Sequence, residues 1–241
     1  MRHPLIPNFD SARNVAIAEA RNEWLWFLDA DERISERTGS FVTEAIQHSG
    51  HEYAAITIPF KSYFSGKWIQ NCGWWPGYTM PRVLRKGYFR FSEQLHGGVQ
   101  FNGAELRLPP DPELGIEHFS YRDIEHYLEK FNRYTSVESQ QLADQGQLLN
   151  WEVAFRHMVR DWWQYYEGHT GYLEGQHGWI LSWLAGQYRW FSHAKLLDRQ
   201  EQQLDYHVVP SLDGIFNVME SEITRQRAAK PELPLGIVWR S

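Results

Sequence analysis

The stretch Trp24-Leu25-Trp26-Phe27-Leu28-Asp29-Ala30-Asp31-Glu32-Arg33 decides the class of fold. Its run of large apolar side chains stops abruptly at a group of carboxylates. A short run of this kind beside a helix is typical of a strand buried on both faces of an α/β sheet. Because ligands collect at the carboxyl ends of strands in such sheets, we expect Asp29 and Asp31 to lie at a binding site.

The segments around this strand continue an α/β pattern. Apolar residues recur at helical spacing over 11–20, and 33–49 also predicts a helix. Residues 53–60 predict a second strand, and 66–78 predict a loop rich in glycine and tryptophan.

A proline-rich break around Asp111 divides the chain into two regions. We therefore predict an α/β region at 1–115 and a mostly helical C-terminal extension at 116–241. The helices expected in this extension cover 122–145, 151–166 and 179–201.

Composition excludes several classes of protein. The chain has 241 residues, a net charge of −6 and a sequence pI near 6.0, which argues against a nucleic-acid partner. Its one cysteine, Cys72, allows no internal disulfide and fits a reducing compartment. Since no apolar stretch is long enough to span a membrane, we expect a cytoplasmic protein, with peripheral contact to the membrane as an option.

The carboxylates of Asp29, Asp31 and Glu32 concentrate negative charge, which a divalent cation with oxygen ligands would relieve. Mg²⁺ typically takes one or two carboxylates and completes its coordination with water and substrate phosphates. The alternative is that Asp29 caps a following helix whose first turn carries the other two acids.

Several motifs in order add to this pattern: Ala12-Arg13-Asn14-Val15-Ala16, Trp24–Arg33, Arg82-Val83-Leu84-Arg85, Leu95-His96, His118-Phe119-Ser120-Tyr121 and Gly171-Tyr172-Leu173-x-Gly175-x-x-Gly178. With them the chain resembles the family 2 glycosyltransferases of the GT-A fold, in particular a bacterial branch involved in cell-envelope polysaccharides. The resemblance covers roughly residues 9 to 195. It implies a Rossmann-like mixed sheet, a nucleotide-diphosphate sugar donor, a glycan or lipid-linked saccharide acceptor, and transfer with inversion.

The resemblance also implies roles for individual residues. Asp29 would contact the nucleoside or sugar, and Asp31 would hold Mg²⁺ or Mn²⁺, with His118 reaching the same metal. Arg13 would bind a phosphate, and Arg82 and Arg85 join the substrate-binding residues. The alternative for His118 is a partly buried histidine that ties a loop, and for Arg13 an ordinary surface arginine.

The general base is less well defined, because relatives have a glutamate after the histidine and this chain has His96-Gly97. Glu93 and His96 are both candidates for the base, and both are equally compatible with structural roles.

Two groups of aromatic residues stand out in a chain with 15% aromatic content. Trp74 and Trp75, on the glycine-rich loop, suit the apolar face of a sugar, or a hydrophobic lid. A second group falls mainly at helical spacing and predicts packing, with a membrane interface as the alternative; it comprises Trp151, Phe155, Trp162, Trp163, Tyr165 and Tyr166.

A complete GT-A domain has further nucleoside-binding strands before the Arg-Asn helix, and this chain offers only residues 1–9 there. We therefore expect an N-terminally truncated fold with an exposed sheet edge near Trp24–Leu28, which a homodimer or a partner chain would cover. A non-catalytic carbohydrate-binding or scaffold protein derived from such an enzyme is the main alternative, and a metal-dependent phosphohydrolase is a weaker one.

Overall fold

The computed structural model describes residues 9–48, 52–79, 81–91, 99–200 and 211–229. These residues form two compact units. The first, here called the sheet unit, runs up to Trp68 and resumes over Trp74–Ser120; the second, the helical unit, takes Ile69–Gly73 and the chain from Tyr121 onward. The architecture is α/β with mixed sheets, as the sequence predicts.

The sheet unit contains two helices and ten short strands among its described residues. The helices are α1 (Phe9–Glu19) and α2 (Glu36–His48). The strands are β1 (Trp24–Trp26), β2 (Glu32–Arg33), β3 (Tyr53–Thr57), β4 (Phe60–Phe64), β5 (Lys67–Trp68), β6 (Val83–Arg85), β7 (Phe89–Phe91), β8 (Val99–Phe101), β9 (Ala104–Arg107) and β10 (Ile116–Tyr121).

The first sheet has the order β1-β6-β3-β9, in which β3 and β9 are parallel and the other pairs are antiparallel. Strand β1 lies at the end of this order and is half-buried. The prediction of a strand buried on both faces is therefore wrong for β1. The strand buried most deeply is β3, whose residues Ala54–Thr57 line the core.

The second sheet has the order β2-β10-β4-β5. Its antiparallel register sets His118 opposite Glu32 and Glu117 opposite Arg33. A buried apolar cluster underlies both sheets and comprises Val42, Ile56, Ile58, Phe60, Val83, Leu108, Leu114 and Ile116.

Two predicted boundaries change for local reasons. The strand predicted over 53–60 divides at Ile58-Pro59, because proline has no N–H for a continuous ladder. The helix predicted over 33–49 begins at Glu36, since Glu32–Arg33 pair with β10 and the Ser35 hydroxyl accepts the N–H of Thr38.

Five α-helices form the described part of the helical unit. They are α3 (Ile124–Asp144), α4 (Trp151–Trp163), α5 (Gln176–Ala194), α6 (Leu196–Arg199) and α7 (Leu212–Ala229), with a π-turn at Gln164–Gly168 and a 3₁₀ turn at Gly171–Glu174. Asp123 and Asn150 cap α3 and α4 by accepting the N–H groups of His126 and Val153. Helix α7 lies in a segment for which the sequence patterns predict no helix.

Close backbone approach holds the helical unit together at three glycines. A Cβ on Gly186 would lie 2.7 Å from the Met158 carbonyl oxygen, and one on Gly171 would lie 2.8 Å from Cys72 Sγ. A Cβ on Gly178 would overlap the Gly171 carbonyl oxygen. The predicted aromatic packing is also found, since Trp190 of α5 contacts Trp151 and Phe155 of α4.

Among the described residues, none of the helices combines the length and the apolarity needed to cross a bilayer.

Candidate active site

The candidate site lies where β1 ends and the chain turns into β2. Asp29 and Asp31 occupy this turn, and Glu32 is the first residue of β2. Glu32 is buried, and its Oε2 accepts the backbone N–H of Asp29 at 3.0 Å. This bond closes the turn and leaves the Asp29 and Asp31 side chains about half exposed at 46% and 40%.

Arg82 anchors the carboxylates from the neighbouring strand. Its backbone is fixed by hydrogen bonds to Phe27 and Ile56, just before β6 begins. Its Nη2 donates to Asp29 Oδ2 at 3.1 Å and to Glu32 Oε1, and its guanidinium lies 5.0 Å from the centre of the Phe60 ring. The side chain is only 7% exposed, and within the described part of the chain its Nε and Nη1 have no hydrogen-bond partner.

Arg13 approaches Asp29 from helix α1. Its Nη2 lies 3.4 Å from Asp29 Oδ1, and its guanidinium packs 5.2 Å from the centre of the Phe91 ring. The next residue, Asn14, donates to the Phe91 carbonyl oxygen. The Ala-Arg-Asn motif therefore has a local explanation: the asparagine ties α1 to β7, and the arginine faces the acidic turn.

The register between β2 and β10 brings His118 to Asp31. The Phe119 N–H donates to the Asp31 carbonyl oxygen at 2.9 Å, and His118 Nε2 lies 3.6 Å from Asp31 Oδ2. On the other side of the ring, His118 Nδ1 lies 3.1 Å from the Ser120 hydroxyl oxygen. This second contact fixes the orientation of the imidazole.

The described ion pairs of the turn involve two arginines. Arg13 and Arg82 both pair with Asp29, and Arg82 also pairs with Glu32. Burial raises the pKa of Glu32, against the hydrogen bond from the Asp29 N–H and the charge of Arg82, and the neighbouring aspartates raise it further. Ionisation of Glu32 therefore has a free-energy cost, which further positive charge at the turn would offset.

The side chains present fit a divalent cation with an incomplete protein shell. Ligands about 2.0–2.1 Å from an octahedral Mg²⁺ lie about 3 Å from one another, and the Asp31 and His118 atoms approach this spacing. No group of three or more His, Cys, Asp or Glu side chains suited to a metal occurs among the described residues. Water and substrate oxygens would complete the coordination, as is usual for Mg²⁺.

Five of the ten predicted site residues thus meet at this turn, namely Arg13, Asp29, Asp31, Arg82 and His118. Arg85 lies at the other end of β6, opposite Trp24, where its Nε donates to Glu23 Oε1 at 2.7 Å. Arg85 therefore lies apart from the acidic turn, and its role in substrate binding stays a prediction. The two candidate bases, Glu93 and His96, lie outside the described residues.

Trp74 and Trp75 belong to a separate aromatic cluster of the sheet unit. Trp74 packs edge-to-face with Phe64 at 6.4 Å, and Trp75 does so with Trp68 at 5.4 Å. Both tryptophans are half-buried. Their role as a sugar platform stays a prediction.

The positioning role of Glu32 was not predicted from the sequence. The sequence feature that could have predicted this role is the spacing, because Glu32 follows Asp29 by three residues and can reach back to the Asp29 N–H. The alternative in which Asp29 caps a helix is wrong, because Ser35 caps α2.

Compared with known proteins, the chain matches no family model and no curated protein sequence.

Proposed function

We propose that the protein is a GT-A-like glycosyltransferase that moves a sugar from a nucleotide-diphosphate donor to a glycan or lipid-linked saccharide, with inversion. The observation that carries the proposal is the convergence of Arg13, Asp29, Asp31, Arg82 and His118 at one strand end. The ordered motifs that resemble family 2 glycosyltransferases add support.

Each residue has a role that follows from its contacts. Asp31 and His118 would hold Mg²⁺ or Mn²⁺, and the chemistry supplied there is Lewis-acid stabilisation of the charge on a departing diphosphate. Asp29, held from two sides by Arg13 and Arg82, is aimed at the donor sugar or ribose. Glu32 acts through Asp29 and Arg82 and is a positioning residue.

Arg13 is the phosphate-binding candidate with the better access. Its side chain is 24% exposed, against 7% for Arg82, and a guanidinium can bind a phosphate through two hydrogen bonds. Arg82 is buried against Phe60, and its role in the proposal is to hold the carboxylates in place.

The test is an assay of the purified chain with manganese and a panel of nucleotide sugars, read as donor hydrolysis and as transfer to saccharide acceptors. We expect wild-type turnover, its loss by at least about a hundredfold in Asp31→Asn, and retention in Glu117→Gln. Glu117 is a matched control, because it is the neighbouring carboxylate on β10 and contacts Lys61 and Tyr63.

Calorimetry with nucleotide diphosphates separates the enzyme from its alternatives. If neither the wild type nor the variant shows turnover, and no nucleotide binds, the proposal is wrong. Saccharide binding without nucleotide binding would favour a carbohydrate-binding protein in its place.

A further inference from the structure

Helix α5 has a surface that ordinary packing does not explain. Between Gln176 and Tyr188 it contains no Asp, Glu, Lys or Arg. This stretch packs on α4, yet Trp179 and Trp183, which contact α4 through Trp162, are still 48% and 46% exposed. Surface helices normally place charged residues on the face turned to solvent, so this face is exceptional.

The exposed tryptophans belong to a continuous aromatic patch. Trp162 of α4 packs edge-to-face with Trp179 at 5.9 Å and with Trp183 at 6.1 Å. Tyr166 extends the patch through Trp179 at 5.4 Å. Leu173, on the 3₁₀ turn before α5, is 65% exposed and adds an aliphatic side chain. We call Trp179, Trp183 and Leu173, with Trp162 and Tyr166 behind them, the α5 patch.

We propose that the α5 patch is a membrane-interface anchor, which inserts Trp179, Trp183 and Leu173 into the headgroup region of a lipid surface. Tryptophan and tyrosine concentrate at that depth because their rings are apolar with one polar edge. A helix that lies in the plane of the interface needs only one apolar face, and it does not need to span the bilayer.

The size of the patch argues against a second copy of the chain as the occupant. Two half-exposed tryptophans and one leucine offer roughly 300 Å² of surface, judged from the about 150–250 Å² that a large aromatic side chain buries. A stable interface buries about 800 Å² on each partner. Insertion into lipid needs no such area, because each side chain gains from leaving water independently.

The charges near the patch predict how it binds. The next cation on α5, Arg189, is engaged by Glu138 and lies 3.6 Å from Asp161 Oδ2. The chain as a whole carries a net charge of −6. Anionic lipids therefore offer no advantage, and binding by this patch is expected to be insensitive to salt and to the acidic lipid fraction.

The experiment is co-flotation of the full chain with phosphatidylcholine vesicles, with and without phosphatidylserine, together with tryptophan emission. We expect binding to both vesicle types with a blue shift of the emission. Trp179→Ser and Trp183→Ser should each lower the partition coefficient by about tenfold, and Trp183→Phe should keep most of it. Phe216→Ser on α7 is the control, because Phe216 is 64% exposed and lies outside the patch.

Several outcomes would overturn the proposal: no flotation of the wild type, unchanged flotation of both serine variants, or flotation only with phosphatidylserine at low salt. Loss of dimerisation or of saccharide binding in the serine variants, without any vesicle binding by the wild type, would assign the patch to those occupants. Circular dichroism of each variant checks that the helical unit is folded. The assay uses no donor or metal, so its result is separate from that of the proposed transfer reaction.

Discussion

Glu32 in the sheet unit and Glu222 in the helical unit are both buried glutamates. They differ in their contacts with arginines. Within the described part of the chain, Glu32 shares Arg82 with Asp29, and the negative charges of Asp29 and Asp31 both act on it. Glu222 on α7 accepts from Arg225 and Gln226, and Arg156 of α4 lies 3.7 Å away.

The pKa values of the two glutamates shift in opposite directions. Burial raises the pKa of Glu32. Burial would also raise the pKa of Glu222, but hydrogen bonds from Arg225 and Gln226, with the charges of Arg225 and Arg156, hold it below its usual value. The surroundings of Glu222 in the helical unit therefore favour its charged form, whereas those of Glu32 in the sheet unit disfavour it.

The largest loss of stability is expected from a substitution that disrupts the close packing of the helical unit. Gly178→Ala places a methyl group against the Gly171 carbonyl oxygen, and neither backbone can yield easily. We expect a loss of at least about 3 kcal/mol in the free energy of unfolding, measured by urea denaturation.

The matched control is Gly39→Ala on α2, where a new methyl group meets no atom within 4 Å. This variant should gain about 0.5–1 kcal/mol, because alanine has the higher helix propensity. Equal stability of the two variants would contradict the close approach at Gly178.

Replacing each glutamate by glutamine should change the free energy of unfolding by a smaller amount, and by different amounts at the two positions. Glu222→Gln removes a charge that its surroundings favour, and we expect it to cost about 2 kcal/mol. Glu32→Gln removes a charge that its surroundings disfavour and keeps an acceptor for the Asp29 N–H, so the change should stay within about 1 kcal/mol.

Urea unfolding of both glutamine variants at neutral pH provides the measurement. If Glu32→Gln costs as much as Glu222→Gln, then the surroundings of Glu32 also favour its charge, and the contrast between the two units fails.

The smallest effect concerns pH. Burial lowers the pKa of His157 and of His193 below the ordinary 6.5, helped by Arg160 and Arg189, while Asp161 and Glu138 oppose the shift. A depressed pKa contributes stability above about pH 6.5 that is lost as the pH falls through the folded-state pKa. The slope is at most about 1.4 kcal/mol per pH unit for each histidine.

Thermal unfolding measured from about pH 7.5 down to about pH 4.5 would follow this loss of stability. The double variant His157→Gln/His193→Asn should flatten the pH dependence, whereas His48→Gln on the exposed side of α2 should leave it unchanged. An unaltered slope in the double variant would show that other groups carry the acid sensitivity.

Local signals in the sequence explain much of the fold. Some residues determine where an element begins or ends through their own backbone or the nearest turn. Pro59 interrupts a strand, and Ser35 and Asp123 mark the starts of α2 and α3. The acidic turn was also predictable, because three carboxylates after an apolar run are unusual whatever surrounds them. The contact of Arg85 with Glu23 was not predictable, because the sequence does not state which strand β6 pairs with or in which register.

By itself, the sequence determined the α/β class, the helices α3, α4 and α5 and the identity of the acidic residues, since these depend on residue type and short-range spacing. Only the tertiary structure decided that β1 lies at the end of its sheet, that the β2–β10 register joins Asp31 to His118, and that Glu32 accepts the N–H of Asp29. It also decided which tryptophans face solvent. The physical reason is that strand order, register and burial are set by contacts between residues far apart in the chain, and a pattern read along the chain does not contain those contacts.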